Sequence, residues 1–116
     1  MGGLDLYAGR VVWSDLDPSV GHEQGGRRPC VVVSSTDFTD AIARMAILVP
    51  CTTRDRGWIN HVRLAGDTGL TATTFAITEQ PRTVSVRRVD SVAGYVDDQC
   101  LTEIMRWVGV WLHPAA

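Results

Sequence analysis

Arg10-Val11-Val12-Trp13 and Cys30-Val31-Val32-Val33-Ser34 are two short runs separated by Asp15-Leu16-Asp17-Pro18-Ser19-Val20-Gly21-His22-Glu23-Gln24-Gly25-Gly26-Arg27-Arg28-Pro29. Both runs are rich in β-branched residues, which fit a pleated and partly buried surface, so each reads as a strand. Hairpin loops usually take about 2–5 residues, and a glycine-rich, charged connection of about a dozen is more often a functional element than a spacer. Just beyond a third apolar run comes Pro50-Cys51-Thr52-Thr53, which sets a threonine hydroxyl at a strand end.

Working outward, candidate strands are Gly9 to Ser14, Cys30 to Ser35, Met45 to Cys51, His61 to Leu64, Thr73 to Thr78, Thr83 to Val86 and Ser91 to Val96. Turn signals at Asp17-Pro18, Gly25-Gly26, Arg56-Gly57, Gly66-Asp67 and Gly94 separate them. Val31-Val32-Val33 and Ile47-Leu48-Val49 are unbroken apolar runs, which predicts central strands buried on both faces. Phe38 to Ala43 reads as a short helical turn. From Asp98 the period changes: Leu101, Ile104, Met105, Val108, Trp111 and Leu112 recur at helical spacing, with Asp97 as N-cap and His113-Pro114 as the stop. That stripe is assigned to the core, and Trp107 and Val110, which fall off it, to a protein interface. Strands closed by one helix predict a mainly β fold, a small barrel of the SH3-like type with a C-terminal α-helix, as one domain over 1–116.

The chain has 116 residues, 45% of them hydrophobic, enough for one core and too few for two. No run approaches the roughly 18 apolar residues of a membrane span, and Met1-Gly2-Gly3-Leu4-Asp5 lacks the pattern of an export signal, so a cytoplasmic protein is expected. Cys30, Cys51 and Cys100 form no C-x-x-C pair and read as reduced small hydrophobes. A net charge of -2 excludes a protein that coats nucleic acid by bulk electrostatics. The charge is locally uneven, however. All eleven basic residues are Arg, and they cluster as Arg27 with Arg28, Arg54 with Arg56, and Arg82 with Arg87 and Arg88. A guanidinium matches phosphate oxygens in a planar fork and stacks on bases. Genome composition accounts equally well for the missing lysines, but less well for the clusters.

Asp15, Asp17, Pro18, Gly21, Glu23, Gln24, Gly26, Arg28 and Pro29 resemble the opening motif of the MazF/PemK family of toxin endoribonucleases. The resemblance continues through Val49-Pro50-Cys51-Thr52-Thr53, Gly69-Leu70, Glu79-Gln80-Pro81-Arg82-Thr83 and Arg87-Arg88-Val89, in the family's order and over nearly the whole chain. His22 departs from it where Ser is common and Pro81 where a hydrophobic residue is common, and the stretch 57–74 is not diagnostic. The resemblance implies an SH3-like barrel, a homodimer, single-stranded RNA as substrate, and a MazE-like cognate antitoxin that lays an extended acidic segment over the RNA groove. It implies no cofactor and no metal. Asp15 and Asp17, a metal pair at first sight, are more simply turn formers before Pro18.

On the family's pattern Arg28 and Thr52 are the catalytic pair, with Arg28 donating to the nonbridging oxygens of a phosphorane and Thr52 adding one more donor. Candidate RNA-binding residues are Glu23, Gln24, Arg27, Thr53, Arg54, Gln80, Arg82 and Thr83. Gln24 and Gln80 are read as candidates for base edges on splayed single-stranded RNA. Arg82 and Thr83 either hold the flanking RNA backbone or, for Arg82, pair with a barrel carboxylate. The general base stays open: an imidazole such as that of His22 is a side chain suited to proton transfer near neutral pH and Glu23 shares its loop, yet the favoured reading of His22 is a solvated loop residue, because the family manages without it. Trp13 is expected to be buried on its strand, and Trp58 either stacks on a base or covers a barrel end or dimer seam. The alternative function is a noncatalytic toxin of the same fold that inhibits a protein target such as DNA gyrase, which would not need the Arg28–Thr52 pair.

Overall fold

A computed structural model describes residues 6–113; the expectations for Met1–Asp5 and for Pro114 lie outside the described residues. Seven strands are present: β1 (Arg10–Asp15), β2 (Arg27–Val32), β3 (Met45–Thr52), β4 (His61–Arg63), β5 (Phe75–Ile77), β6 (Arg82–Ser85) and β7 (Val89–Tyr95). Helix α1 (Thr36–Ala41) lies between β2 and β3, and α2 (Asp98–Leu112) closes the chain. All pairings are antiparallel, in the order β4-β5-β3-β2-β1-β7, with β6 also on β3. The mainly β fold with a C-terminal helix is the one expected.

β3 organises the molecule. One edge pairs with β2, while the other pairs with β6 through Met45–Leu48 and then with β5 at Cys51 and Thr52. Pro50, which has no N–H to donate, falls where that outer edge changes partner. Because side chains alternate across a strand, the apolar runs fill two cores. Val11, Val31, Val49 and Cys51 pack on the side of α2, and Val12, Cys30, Val32 and Leu48 on the other. Leu48 and Val49 are fully buried, as an unbroken run requires, while Ile47 is only partly so.

Three expectations change. β2 begins at Arg27 and not at Cys30, since Asp15 and Ser14 pair with Arg27 and Arg28, so both arginines are strand residues. Pro29 is tolerated there because the pairing of β2 with β3 starts one residue later. Next, α1 starts at Thr36, two residues earlier than read, because the Ser35 hydroxyl accepts from Phe38 N–H as an N-cap. Finally, α2 buries Cys100, Ile104 and Val108, a row at spacing four, under its Asp97 N-cap. Met105, Trp111 and Leu112, assigned to the core by periodicity, are exposed: Trp111 and Leu112 lie beyond Val108, the last buried residue of the helix, and Met105 lies beside the buried row of Cys100, Ile104 and Val108 and not on it. Trp107 is half-buried and stacks on Trp111 with ring centroids 5.7 Å apart.

Candidate functional site: two clefts flanking the end of β3

The end of β3 separates two clefts. The smaller, of about 290 Å³, is lined by Trp13, Arg28, Pro29, Cys51, Thr52, Thr53 and the stretch Leu70-Thr71-Ala72 with Thr74. Its charged group is the Arg28 guanidinium, and its hydroxyls come from four threonines. Arg28 is held from two directions: Nε donates to the Gly25 carbonyl at 3.1 Å and Nη1 to the Cys51 carbonyl at 3.0 Å. Nη2 has no protein acceptor among the described residues, so the open edge of the fork remains available to a ligand. Thr52 Oγ1 accepts from Arg54 N–H at 3.1 Å, an ST turn that fixes the oxygen and leaves the O–H to donate. The sequence thus brings Arg28 and Thr52 into one cleft by pairing β2 with β3 two residues before the threonine.

The larger cleft, of about 500 Å³, is lined by Leu16, His22, Glu23, Gln24, Pro50, Glu79, Gln80, Pro81 and Arg82. Most of its polar groups are engaged with the β1–β2 loop. Gln80 Oε1 accepts from Gln24 N–H at 2.9 Å, and Gln80 Nε2 donates to the His22 carbonyl at 3.1 Å. Arg82 donates to the carbonyls of Leu16 and Pro18, and Arg88 to those of Asp15 and Asp17. Glu23 Oε1 accepts from Val20 N–H at 2.6 Å. Asp15 and Asp17 act within the turn, accepting from Asp17 N–H and Gly26 N–H. Gly25 packs closely on two loop side chains: a Cβ there would lie 2.3 Å from Ser19 Oγ and 2.8 Å from Asp17 Oδ1, so both would have to turn away.

The other candidates lie apart. Arg27 pairs with Asp90 at 2.6 Å and covers the Trp13 ring at 4.6 Å, on the surface. Arg54 and Thr83 are exposed and line neither cleft, while Thr53 lines the smaller one. Trp13 is half-buried and forms a wall of the smaller cleft, not part of the core as expected, with the Arg27 guanidinium over its ring. Trp58 is half-exposed and rests on His61, centroid to centroid 4.9 Å. His61 is buried and meets both oxygens of Glu79 at 3.1 Å through Nε2, and Asn60 Nδ2 donates to the same carboxylate at 2.7 Å. Cys30 is buried in the core: burial pushes its thiol up to about 12, with Arg28 and then Arg82 pulling the other way. Burial likewise raises Cys51, and all three cysteines are free.

The profile of PemK-like, MazF-like toxins of type II toxin-antitoxin systems matches residues 7–112. The chain belongs to this PemK/MazF toxin family. MazF from Escherichia coli K12, an endoribonuclease toxin, is 41% identical over 58 residues, which are 50% of this chain and 51% of that protein. The chain therefore spans about half the length of this curated relative. MazF from Deinococcus radiodurans superposes with a TM-score of 0.81 at 28% identity, over 91% of this chain and 94% of that one. A MazE–MazF complex from the same organism gives 0.73 at 28% identity over the same shares. In this PemK/MazF chain, sequence reasoning missed the wall formed by Leu70, Thr71, Ala72 and Thr74. The available signal was the threonine-rich run Thr68-Gly69-Leu70-Thr71-Ala72-Thr73-Thr74, an irregular segment rich in donors. Gly69 seats it, since a Cβ there would lie 2.0 Å from the Ala93 carbonyl oxygen.

Proposed function

We propose that the chain is a sequence-selective, metal-independent endoribonuclease that cleaves single-stranded RNA, and that it acts as the toxin of a type II toxin-antitoxin pair in the cytoplasm. The observation that supports this reading is the shared cleft: a guanidinium edge without a protein acceptor beside a positioned alcohol. In the reaction the ribose 2′-oxygen forms a bond to phosphorus as the bond from phosphorus to the 5′-oxygen breaks. The 2′-hydroxyl loses a proton and the leaving oxygen gains one, giving a 2′,3′-cyclic phosphate and a 5′-OH. Charge grows on the nonbridging oxygens as the phosphorane forms. Arg28 Nη2 and the Thr52 O–H are the donors aimed at it, each of a kind that contributes roughly a hundredfold to a thousandfold in rate. Arg titrates too high to serve as an ordinary base, so proton removal is left to water or to a neighbouring loop group. The lining of this cleft, one guanidinium, hydroxyls and apolar side chains without carboxylate or imidazole, suits phosphate rather than a divalent cation.

The deciding experiment mixes purified protein with single-stranded RNA in excess EDTA and identifies the new ends. Cyclic phosphate and 5′-OH ends are expected, and cleavage that stops on chelation or leaves 5′-phosphates contradicts the reading. The Arg28–Thr52 arrangement also weighs against the gyrase-inhibitor alternative, which has no use for it. By likeness to the MazE–MazF complexes, the proposed partners are a second copy of the chain and a MazE-like antitoxin with an extended acidic segment. An arginine that holds phosphate also accepts carboxylate, so antitoxin and RNA compete for the same donors. Antitoxin affinity is expected to fall with added salt; a salt-independent affinity contradicts carboxylate mimicry.

A further inference from the structure

Gln80 and Arg28 belong to different clefts, yet one chain of contacts joins them. The Arg28 guanidinium takes its orientation from two carbonyls, Gly25 on the β1–β2 loop and Cys51 on β3. The Cys51 carbonyl sits in a paired strand and is fixed by the sheet. The Gly25 carbonyl belongs to the least restricted kind of residue in a long loop, so its direction depends on anchors to either side. On one side, and within the same peptide plane, Asp17 Oδ1 accepts from Gly26 N–H at 2.9 Å, while the Gly26 carbonyl accepts from Leu16 N–H at 2.9 Å. On the other, Gln80 Oε1 accepts from Gln24 N–H at 2.9 Å, and Gln80 Nε2 donates to the His22 carbonyl at 3.1 Å.

We propose that Gln80 is a positioning residue for the reaction: its carboxamide fixes the loop carbonyl that aims the Arg28 guanidinium, and it does not read a base. The proposal rests on Arg28 being the catalytic arginine. Three features carry it. Both ends of the carboxamide are engaged, one with an N–H donor and the other with a carbonyl acceptor, which also settles which end is oxygen. Gln80 is itself held, its N–H donating to the Ile77 carbonyl at 3.0 Å, directly after β5, so the clamp stands on the sheet. The opposite flank of the loop is pinned by Arg82 and Arg88, Gly26 is pinned by Asp17 and Leu16, and Glu23 bonds back to Val20 within the loop, so Gln80 is the group from outside the loop that holds His22 and Gln24, the approach to Gly25. A reading of base edges would be confined to the second Nε2–H and the second Oε1 lone pair, in the directions these two bonds leave open.

The test compares Gln80→Met, close in shape but unable to make either bond, with the parent protein on a single-stranded RNA of mixed sequence. Cleavage is measured at saturating and limiting RNA, and all cut sites are mapped. The expected result is a fall in kcat of about tenfold to a hundredfold, the scale of a small misplacement, with KM and the cut sequence unchanged. The Arg28 Nε–H signal in nitrogen-resolved NMR reports the same event without substrate, and its exchange with water is expected to quicken. A merely structural role would lower stability and leave that exchange unaltered in the folded protein, which overturns the proposal. So does a changed cut sequence, which restores the base-reading role, or an unchanged kcat. If Gln80→Met does not fold, Gln80→Glu replaces it: this variant keeps an oxygen for Gln24 N–H and loses the donor to His22. A smaller fall in kcat with quickened Arg28 exchange is then expected, and neither change overturns the proposal. Arg28→Ala is run alongside. If that variant cleaves like the parent, the underlying assignment has failed; if it is inactive while Gln80→Met is normal, only the clamp has.

Discussion

The two clefts beside the end of β3 differ in what their polar groups are doing. The larger, about 500 Å³, has more charge and more hydrogen-bonding side chains, yet Gln80, Arg82 and Glu23 are engaged with loop backbone. The smaller, about 290 Å³, has one guanidinium, and part of that guanidinium has no protein acceptor among the described residues. On the proposed reading, volume and charge count point away from the reaction centre. A reaction centre is better sought where donors are held rigidly by some of their atoms and left open at the others, since preorganisation without saturation is what developing charge can use.

The sharpest way to break this comparison is to remove donors from the smaller cleft. Arg28→Ala and Thr52→Ala are each expected to lower kcat by roughly a hundredfold to a thousandfold, Thr52→Ala with the thermal midpoint little changed and Arg28→Ala with an added loss of stability from the two carbonyls it releases. Arg28→Lys is expected to resemble Arg28→Ala, because an ammonium cannot hold two carbonyls and still present a free edge. Near-normal cleavage by any of the three transfers the chemistry elsewhere. In the larger cleft Arg82→Ala removes donors from the Leu16 and Pro18 carbonyls, and Leu16 is buried. The expected signature is the reverse: a stability loss of roughly 1.5–3 kcal/mol in urea unfolding, with a smaller effect on cleavage. A variant of unchanged stability contradicts the clamping role. The smallest effect is expected at His22, whose side chain lines the larger cleft. The pH–rate profile of His22→Ala is expected to follow the parent, and a lost acid or alkaline limb reassigns proton transfer to that imidazole.

The sheet was largely legible in the sequence because its strands are written in the simplest code. Val31-Val32-Val33 and Leu48-Val49 have no polar face, and only a strand buried on both sides accommodates that. The helix was legible in place but not in width. Periodicity reports which residues share a face, not how wide or how long a strip is covered, so Met105 was assigned to a core whose buried row passes beside it, and Trp111 and Leu112 to one whose last buried helix residue is Val108. The motif residues were readable as a set, but their division between two clefts was not. Gln80 and Arg82 differ from Arg28 in their partners, and those partners are backbone carbonyls and N–H groups brought close by the hairpin packing against the loop, which leaves no mark on residue type. The threonine-rich wall was missed for a related reason, since a loop seated by one glycine has no periodicity to detect.

A structure of the protein bound to an RNA whose cleaved nucleotide lacks its 2′-hydroxyl tests the central claim most directly, since such a ligand binds without reacting. The scissile phosphate is predicted to lie within hydrogen-bonding distance of both Arg28 Nη2 and Thr52 Oγ1. A phosphate seated instead between His22 and Arg82 in the larger cleft, out of reach of both, contradicts it.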